Sequence, residues 1–391
     1  MELRDVITGR IRDAGPLPFA AFMDLALYHP ELGYYARARR RSGAAGDFFT
    51  SVDAGPLLGE LLAAQFAEMW RLAAPDGGEP PAPFDLVEAG AGSGRLARGV
   101  LDHAAADHAA FYRALRLTLV ERSPAARAAH GVTLGPHADR LAPQSGDALP
   151  ARVEGIIYAN ELLDALPVHS LVMTAAGLRE VYVDSRDGRL VESPGPVSPA
   201  VRAHVERFGI RLEPGWRTEV CPAAVRWVAD AARRLERGYL LLIDYGHEAH
   251  ELYSSTHARG TLACYRRHRV EVAGDGPAAA PWLEEPGARD ITAHVDLTAV
   301  RATAEAAGLQ TLGMVDQTYF LLGLAAENGA LYEPEHGASE TDDGLDPIRR
   351  RLALKTLLVP GGLGSTHKVL IFGKRVGTPR LRGCSFSRRM T

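Results

Sequence analysis

The sequence predicts an α/β fold built on a parallel sheet with helices on both faces, and three observations lead to this prediction. Apolar strand-like runs alternate with helical segments, beginning with "FDLVEAG", "LRLTLVE" and "VEGIIYANE". Such alternation is typical of parallel sheets. A glycine-rich turn joins the first of these runs to a helix. The strand pattern then returns at "GYLLLIDYG" and closes with "HKVLIFGK".

Two other parts of the chain have a different pattern of apolar residues. Near the N-terminus, "PLPFAAFMDLALYHP" and "GPLLGELLAAQFAEMWRLA" carry apolar residues at helical spacing. After residue 168, "VHSLVMTAAGLREVYVDSRDGRLVES" alternates like antiparallel strands joined at Gly177 and at Asp187-Gly188. We therefore predict five regions: N-terminal helices that cover the ligand site (1–80), the first half of the core (81–167), an inserted α+β subdomain (168–235), the second half of the core (236–375) and a disordered tail (376–391).

Composition limits the partners of the protein. The 391 residues carry a net charge of −4, so no electrostatic argument favours nucleic acid or an anionic membrane. No apolar run approaches membrane-spanning length, and we expect no membrane insertion. Cys221, Cys264 and Cys384 lie far apart, which predicts neither a disulfide framework nor a metal site. The N-terminus carries acids at Glu2 and Asp5 and no apolar core, so we expect a cytoplasmic location.

The stretch "LVEAGAGSGRL" is the clearest candidate for a ligand site. Glu88 ends a predicted strand, and Gly90, Gly92 and Gly94 then turn the chain into a helix. Missing side chains allow a ligand to lie against the backbone, and the start of the helix offers N–H groups. The pattern favours a nucleotide-type ligand at the carboxyl edge of the sheet. The alternative is a tight turn that binds nothing.

Acids decide which nucleotide-type ligand fits this turn. A dinucleotide fold has its third glycine where Arg95 stands, whereas here Glu121 ends the second strand, 27 residues beyond Gly94. A carboxylate at Glu121 suits a ribose diol, and one at Asp147 in "SGDALP" suits an adenine amino group. Glu121 as a surface acid and Asp147 as a helix cap for "ALPARV" remain alternatives.

This set resembles the class I S-adenosylmethionine-dependent methyltransferases. The resemblance implies S-adenosyl-L-methionine as cofactor, with Glu88 facing its methionine part, Glu121 holding its ribose and Asp147 reading its adenine. Acids suit this ligand because it is a sulfonium cation, whereas a pyrophosphate is disfavoured by them.

A narrower resemblance rests on segments that occur in order along residues 15–375. The chain is similar to the family of the mitochondrial complex I assembly methyltransferase and its bacterial relatives in "LPFAAFMDLALYHPELGYYA", "GDFFTS", "GELLAAQFAEMW", "VEAGAGSGRL", "ANELLDALPVH", "IDYGH", "GTLACYRRHRV", "DITAHVDLTAV" and "QTYFLLGL". The resemblance implies a Rossmann-like, seven-stranded, mostly parallel sheet with added N-terminal helices and an inserted subdomain. It also implies protein arginine methylation on a protein partner.

An arginine substrate requires carboxylates that orient the guanidinium group and offset its charge. Asn160, Glu161 and Asp164 follow the fourth strand in "ANELLDALP", and we expect the first two to line the target site with Asp164 in support. Asp244 in "IDYGH" ends another strand at the same edge and is expected to hold a substrate nitrogen. Helix capping or a surface ion pair is the alternative for Asp164.

The "GDFFTS" stretch is expected to close over the cofactor through Asp47, Thr50 and Ser51, with a helix N-cap as the alternative. We interpret the histidines as structural, including His29 and His294, and predict no metal ligands.

Three functions compete with protein arginine methylation. A small-molecule methyltransferase is predicted if the acceptor pocket is apolar and closed rather than acidic around Glu161. An assembly factor that binds S-adenosyl-L-methionine without turnover is the alternative outside enzymes. An NAD-dependent oxidoreductase is disfavoured by Arg95 and by the acids near the turn.

Overall fold

The computed structural model describes residues 2–37, 56–74, 78–266, 269–272, 280–328 and 366–386. The chain folds into two compact units, each assembled from three stretches of sequence. The first unit comprises Met1–Phe49, Leu162–Ala229 and Tyr245–Thr303. The second unit comprises Thr50–Glu161, Asp230–Asp244 and Ala304–Thr391. A mixed α/β fold with a mostly parallel sheet is confirmed.

Helices and strands alternate through most of the described chain. The helices are α1 (Leu3–Ala14), α2 (Phe19–Tyr28), α3 (Tyr34–Arg37), α4 (Leu57–Leu72), α5 (Arg95–Asp107), α6 (Ala109–Ala114), α7 (Pro124–Ala128), α8 (His130–Leu134), α9 (Pro199–Phe208), α10 (Pro222–Arg234), α11 (Ala249–Leu252), α12 (Leu297–Ala306) and α13 (Gln317–Asn328). The strands are β1 (Leu17–Pro18), β2 (Phe84–Ala89), β3 (Leu115–Val120), β4 (Val153–Asn160), β5 (His169–Thr174), β6 (Gly177–Arg186), β7 (Arg189–Gly195), β8 (Arg217–Val220), β9 (Leu235–His247), β10 (Ala263–Arg266), β11 (Arg269–Val272), β12 (Asp290–Thr292), β13 (Val295–Asp296), β14 (Gln310–Asp316) and β15 (His367–Lys374).

The second unit is built on a sheet with the strand order β14-β15-β9-β4-β2-β3. The pairs β3–β2, β2–β4 and β4–β9 are parallel, and β14–β15 is antiparallel. All six residues of β2 are buried, as expected of a strand with parallel neighbours on both sides. The parallel strands end at one edge of the sheet, where Glu121 and Glu161 directly follow β3 and β4. The predicted number of seven strands stays a prediction, because the described residues omit several segments.

Helix α4 of the second unit packs closely on α5. Gly59 lies against Gly99 so tightly that a Cβ at position 59 would be 2.8 Å from the carbonyl carbon of Gly99. Leu61, Leu62 and Phe66 of α4 join the buried apolar core of this unit. Missing side chains at the contact therefore allow α4 to approach the helix that follows the glycine turn.

The first unit contains an antiparallel sheet with the order β1-β6-β5-β8, and β7 pairs with β6. Asp187 (φ 50°) and Gly188 (φ 74°) form the predicted turn between β6 and β7. Strand β1 from the N-terminal region pairs with β6 of the predicted insertion. Helices α1 to α3, most of the predicted insertion and residues 245–303 belong to one unit, whereas α4 belongs to the other, and a linear division of the sequence did not anticipate this grouping.

The structure differs from the expected disordered tail over residues 376–386. Leu381 is buried in the apolar core of the second unit. The N–H of Gly383 donates to Gln65 Oε1 at 3.0 Å, and that of Arg382 donates to Glu68 at 3.1 Å. Apolar burial and hydrogen bonds to α4 offset the entropy cost of ordering this segment.

Helices long and apolar enough to cross a membrane are absent from the described residues.

Candidate functional site

The glycine turn of the second unit runs across the end of β3. The N–H groups of Gly90 and Ala91 both donate to the carbonyl oxygen of Val120, at 2.9 and 3.1 Å. Gly90, Gly92 and Gly94 have φ values of 70°, 53° and 88°, a region that favours glycine. Helix α5 begins directly after Gly94. The sequence pattern therefore corresponds to a real strand–turn–helix connection at the carboxyl edge.

Glu121 lies against this turn. Its Oε2 accepts a hydrogen bond from the N–H of Gly92 at 2.8 Å, and its Oε1 accepts one from the N–H of Ser123 at 2.7 Å. Two backbone donors fix the carboxylate in one orientation beside the glycines. This placement favours a site residue over the alternative of a loose surface acid.

Asp147 lies at the same edge. It follows Gly146, whose carbonyl oxygen accepts a hydrogen bond from the N–H of Glu121 at 2.8 Å. Gly146 also forms an isolated bridge with Val120, the last residue of β3. Asp147 is exposed, and no helix begins within "ALPARV", so the helix-cap alternative does not hold. Its carboxylate faces solvent and is accessible to a ligand.

Glu88 occupies a different position from the one expected for an acid facing a ligand. It is only 4% exposed and accepts hydrogen bonds from the N–H of Ala97 at 3.1 Å and from the hydroxyl of Tyr158 at 3.0 Å. Burial raises the pKa of Glu88 to about 8; the two hydrogen bonds act in the opposite direction, and the charge of Glu121 adds to the rise. The carboxyl group therefore lies beneath the start of α5 and is mostly protonated at neutral pH.

Asn160 is the last residue of β4, and Glu161 directly follows it. Asn160 Nδ2 donates to Glu161 Oε1 at 3.2 Å, whereas Asn160 Oδ1 is buried and has no hydrogen-bond partner in the described part of the chain. Glu161 has a φ of 52°, which is rare for a residue other than glycine, and its N–H donates to Ile243 O at 2.8 Å. A strained residue beside an unsatisfied acceptor is typical of a functional site.

Two further groups lie near Glu161. Nε2 of His367, the buried first residue of β15, is 3.5 Å from Glu161 Oε1. Asp244 is buried on β9, directly after the residue whose carbonyl accepts the Glu161 N–H. Sequence reasoning predicted Asp244 and missed His367, although "HKVLIFGK" begins with this histidine. The sequence signal for His367 was its position as a polar first residue of a strand in the same sheet.

Asp164 belongs to the first unit. It is buried, forms a side-chain hydrogen bond with Tyr245, and its carbonyl oxygen accepts from Ala293 N–H at 3.1 Å. Burial, followed by the charge of Asp164, raises the pKa of Tyr245 well above its ordinary value. Asp164 is neither at a helix start nor on the surface, so both alternatives for this residue fail. Its supporting role in substrate binding stays a prediction.

The first unit also holds an acid–tyrosine pair that the sequence did not indicate. Tyr35 OH donates to Asp290 Oδ1 at 3.1 Å, and the ring of Tyr35 stacks on Tyr28 at a centroid distance of 5.3 Å. Asp290 and Tyr35 are 255 residues apart in sequence, so no local pattern joins them.

Three predicted cofactor contacts, Asp47, Thr50 and Ser51, lie outside the described residues. Of the histidines, His29 accepts hydrogen bonds at its Nδ1 from the N–H groups of Glu31 and Leu32, which agrees with a structural role after α2.

The carboxyl edge of the second unit is suited to a cationic ligand. Glu121 and Glu161 directly follow β3 and β4, Asp244 lies on β9, Asp147 follows the bridge between Gly146 and Val120, and Glu88 is buried on β2. A positive charge near Glu88 would favour its ionised form and so lower its raised pKa. This group of carboxylates therefore fits a sulfonium nucleoside better than a pyrophosphate.

Comparisons with known proteins find similarity to methyltransferases. A family model described as "Putative S-adenosyl-L-methionine-dependent methyltransferase" matches residues 61–315. The "Protein arginine methyltransferase NDUFAF7 homolog, mitochondrial" of Drosophila melanogaster is 30% identical over 401 residues, covering 93% of this chain and 83% of the relative. The Mus musculus "Protein arginine methyltransferase NDUFAF7, mitochondrial" is 28% identical and covers 81% of this chain and 73% of the relative.

A solved structure is similar over nearly the whole length. The crystal structure of a Burkholderia thailandensis protein bound to S-adenosyl-homocysteine has a TM-score of 0.83 and 31% identity, and the match covers 99% of this chain and 94% of that chain.

The comparisons correct one expectation. The prediction of a cytoplasmic location is wrong, since the curated relatives from Drosophila and mouse are named as mitochondrial proteins. The missing apolar core argued against a secretory signal, and the acids Glu2 and Asp5 argued against a transit peptide, but neither feature decided the location.

Proposed function

Because the chain belongs to a family of S-adenosyl-L-methionine-dependent methyltransferases, we propose that it methylates arginine side chains of a protein partner. The names of the curated relatives, protein arginine methyltransferases from insects and mammals, support this acceptor. When bound, S-adenosyl-L-methionine supplies the methyl group on a positively charged sulfur.

The second unit offers residues for each part of the cofactor. Glu121, held by two backbone N–H groups, accepts the ribose hydroxyls, and exposed Asp147 accepts the adenine amino group. The open glycine turn allows the ligand to lie against the backbone at Gly92. Glu88 supplies negative charge from beneath the turn once a cation favours its ionised form.

The strained end of β4 is the single observation that carries the acceptor proposal. Glu161 is kept at a φ of 52°, next to a buried Asn160 Oδ1 to which no group of the described residues donates. A guanidinium group carries five N–H donors in a planar fork, which matches carboxylate and amide oxygens. Asn160 and Glu161 therefore orient the guanidinium, and Asp244 offsets its charge.

The same residues account for catalysis by positioning. Methyl transfer requires a nitrogen lone pair aligned with the carbon–sulfur bond, and holding the acceptor in that geometry supplies much of the rate. Glu161 Oε1 accepts the proton that the arginine nitrogen loses, and burial at this edge excludes water from the reacting atoms. His367, 3.5 Å from that oxygen, positions the carboxylate.

The first test is transfer of an isotope-labelled methyl group. Purified full-length protein is incubated with labelled S-adenosyl-L-methionine and proteins from cells that lack its gene, and the products are hydrolysed to amino acids. We expect labelled methylarginine with the wild type. Glu161→Gln should lower the turnover at least about 100-fold, the range for a positioned acid–base group, while cofactor affinity is retained.

Glu154→Gln is the matched control. Glu154 lies near the beginning of β4, the strand that Glu161 directly follows, and is exposed, so turnover should be unchanged. Label only in small molecules would contradict the protein acceptor. Tight cofactor binding without any transfer would instead favour an assembly role without turnover.

A further inference from the structure

Three histidines of the first unit converge although they are far apart in sequence. His247 ends β9, His257 ends a short 3₁₀ turn, and His294 lies between β12 and β13. Each offers a ring nitrogen, and these nitrogens all lie within 4.8 Å of one another. The ring centroids of His247 and His257 are 4.5 Å apart, and those of His247 and His294 are 5.0 Å apart.

Glu251 orients two of these rings. Its carboxylate Oε1 is 3.0 Å from His247 Nδ1, and its backbone carbonyl oxygen is 3.0 Å from His257 Nδ1. A carbonyl oxygen only accepts, so Nδ1 of His257 carries the proton and its Nε2 presents a lone pair. Histidines that bind metals are commonly held in this way, with the other ring nitrogen donating to a carboxylate or a carbonyl.

The third ring has an unsatisfied nitrogen. Nδ1 of His294 is buried and has no hydrogen-bond partner within the described residues. The backbone beside it is fixed, since the N–H of His294 donates to Thr261 Oγ1 at 3.0 Å. A buried polar atom without a partner costs free energy, and a bond to a metal would offset that cost.

We propose that His247, His257 and His294 form a binding site for one divalent metal ion of the zinc class. Imidazole nitrogens suit zinc and its transition-metal neighbours, whereas magnesium and calcium prefer oxygen ligands. Tetrahedral zinc with bonds of about 2.0–2.1 Å requires nitrogens about 3.4 Å apart, so rotations that move each nitrogen by about 1 Å complete the site. Three protein ligands leave a fourth position for water.

No local sequence motif predicts this site. The three histidines are separated by 10 and 37 residues, unlike the short spacings of common zinc motifs, and the sequence analysis predicted no metal.

Zinc binding to tag-free, full-length protein tests the proposal. After treatment with a chelator, calorimetry with Zn²⁺ should give one ion per chain, whereas Mg²⁺ should give no comparable binding. Binding of Co²⁺ should produce the visible absorption bands of a low-coordinate site. His257→Ala should lower zinc affinity at least about 100-fold, and Glu251→Gln should lower it about 10–100-fold.

His250→Ala is the matched control, because His250 is exposed, lies three residues after His247 and is outside the cluster. Its zinc affinity should equal that of the wild type. The proposal is overturned if the wild type takes up no stoichiometric zinc, or if His257→Ala binds zinc as tightly as His250→Ala. Should His257→Ala fail to fold by circular dichroism, Glu251→Gln decides, and unchanged affinity in that variant contradicts the site.

Discussion

Two buried glutamates, one in each unit, have pKa values that shift in opposite directions. Glu88 of the second unit is 4% exposed and Glu180 of the first unit is 0% exposed. The pKa of Glu88 is raised to about 8 by burial, whereas the pKa of Glu180 is lowered, because its hydrogen bonds outweigh the effect of burial. Burial alone therefore does not decide the charge of an acid.

The partners explain the difference. Glu180 is 2.7 Å from His169 Nδ1 and accepts a hydrogen bond from the N–H of Ser198 at 2.8 Å, so its negative charge is satisfied by the protein itself. Among the described residues, Glu88 accepts hydrogen bonds from one neutral hydroxyl and one backbone N–H, and Glu121 adds a second acid nearby. Groups of the first unit thus stabilise the Glu180 carboxylate. The partners of Glu88 do not stabilise its ionised form to the same extent, and a cationic ligand could do so.

The largest expected effect concerns Glu88→Gln. The folded pKa of about 8 exceeds the ordinary value of 4.5, so the folded state binds more protons between these values and wild-type stability falls as the pH rises through this window. The variant lacks this loss, and we expect it to gain about 2–4 kcal/mol relative to the wild type between pH 5 and pH 8.5. Urea unfolding at both pH values measures the gain. Glu154→Gln, an exposed acid, should show none.

The same substitution at Glu180 should act in the opposite direction. Its folded pKa lies below the ordinary value, so the carboxylate contributes stability at neutral pH that is lost as the pH falls through the folded pKa. Glu180→Gln should cost about 1.5–3 kcal/mol at pH 7, the scale for hydrogen bonds to charged groups. Urea unfolding at pH 7 and pH 3 checks this, and a loss of equal size at both pH values would contradict a charged Glu180 carboxylate.

Two backbone N–H groups hold the carboxylate of Glu121 beside the glycine turn. Glu121→Ala should weaken the binding of S-adenosyl-L-methionine by about 1.5–3 kcal/mol. Calorimetry with the cofactor measures this, and Glu154→Ala should leave affinity unchanged. Equal affinity in Glu121→Ala and wild type would remove Glu121 from the cofactor site.

The sequence predicted those features that depend on neighbouring residues. The strand, the glycines and the start of the helix are contiguous in "LVEAGAGSGRL", and each residue type is required by the local backbone. Glu121 was also predictable, since parallel strands end at a common edge.

The missed features depend on contacts between distant segments. His367 approaches Glu161 only because β15 belongs to the same sheet, and the pairing of β1 with β6 joins the N-terminal region to the predicted insertion. Nor did the sequence reveal that Glu88 points beneath α5, because Tyr158 and Ala97, which bind it, lie on two other elements. Local spacing fixes which residues end a strand and carries no information about what packs over them.

The interleaving of the two units has a consequence for how the protein is made. Six stretches alternate between the units along the chain, so the backbone passes from one to the other five times. The last stretch of the second unit contains the C-terminal residues, and that of the first ends at Thr303. A nascent polypeptide leaving the ribosome therefore completes neither unit until most of it has emerged. No single proteolytic cut yields a fragment holding one whole unit and nothing of the other.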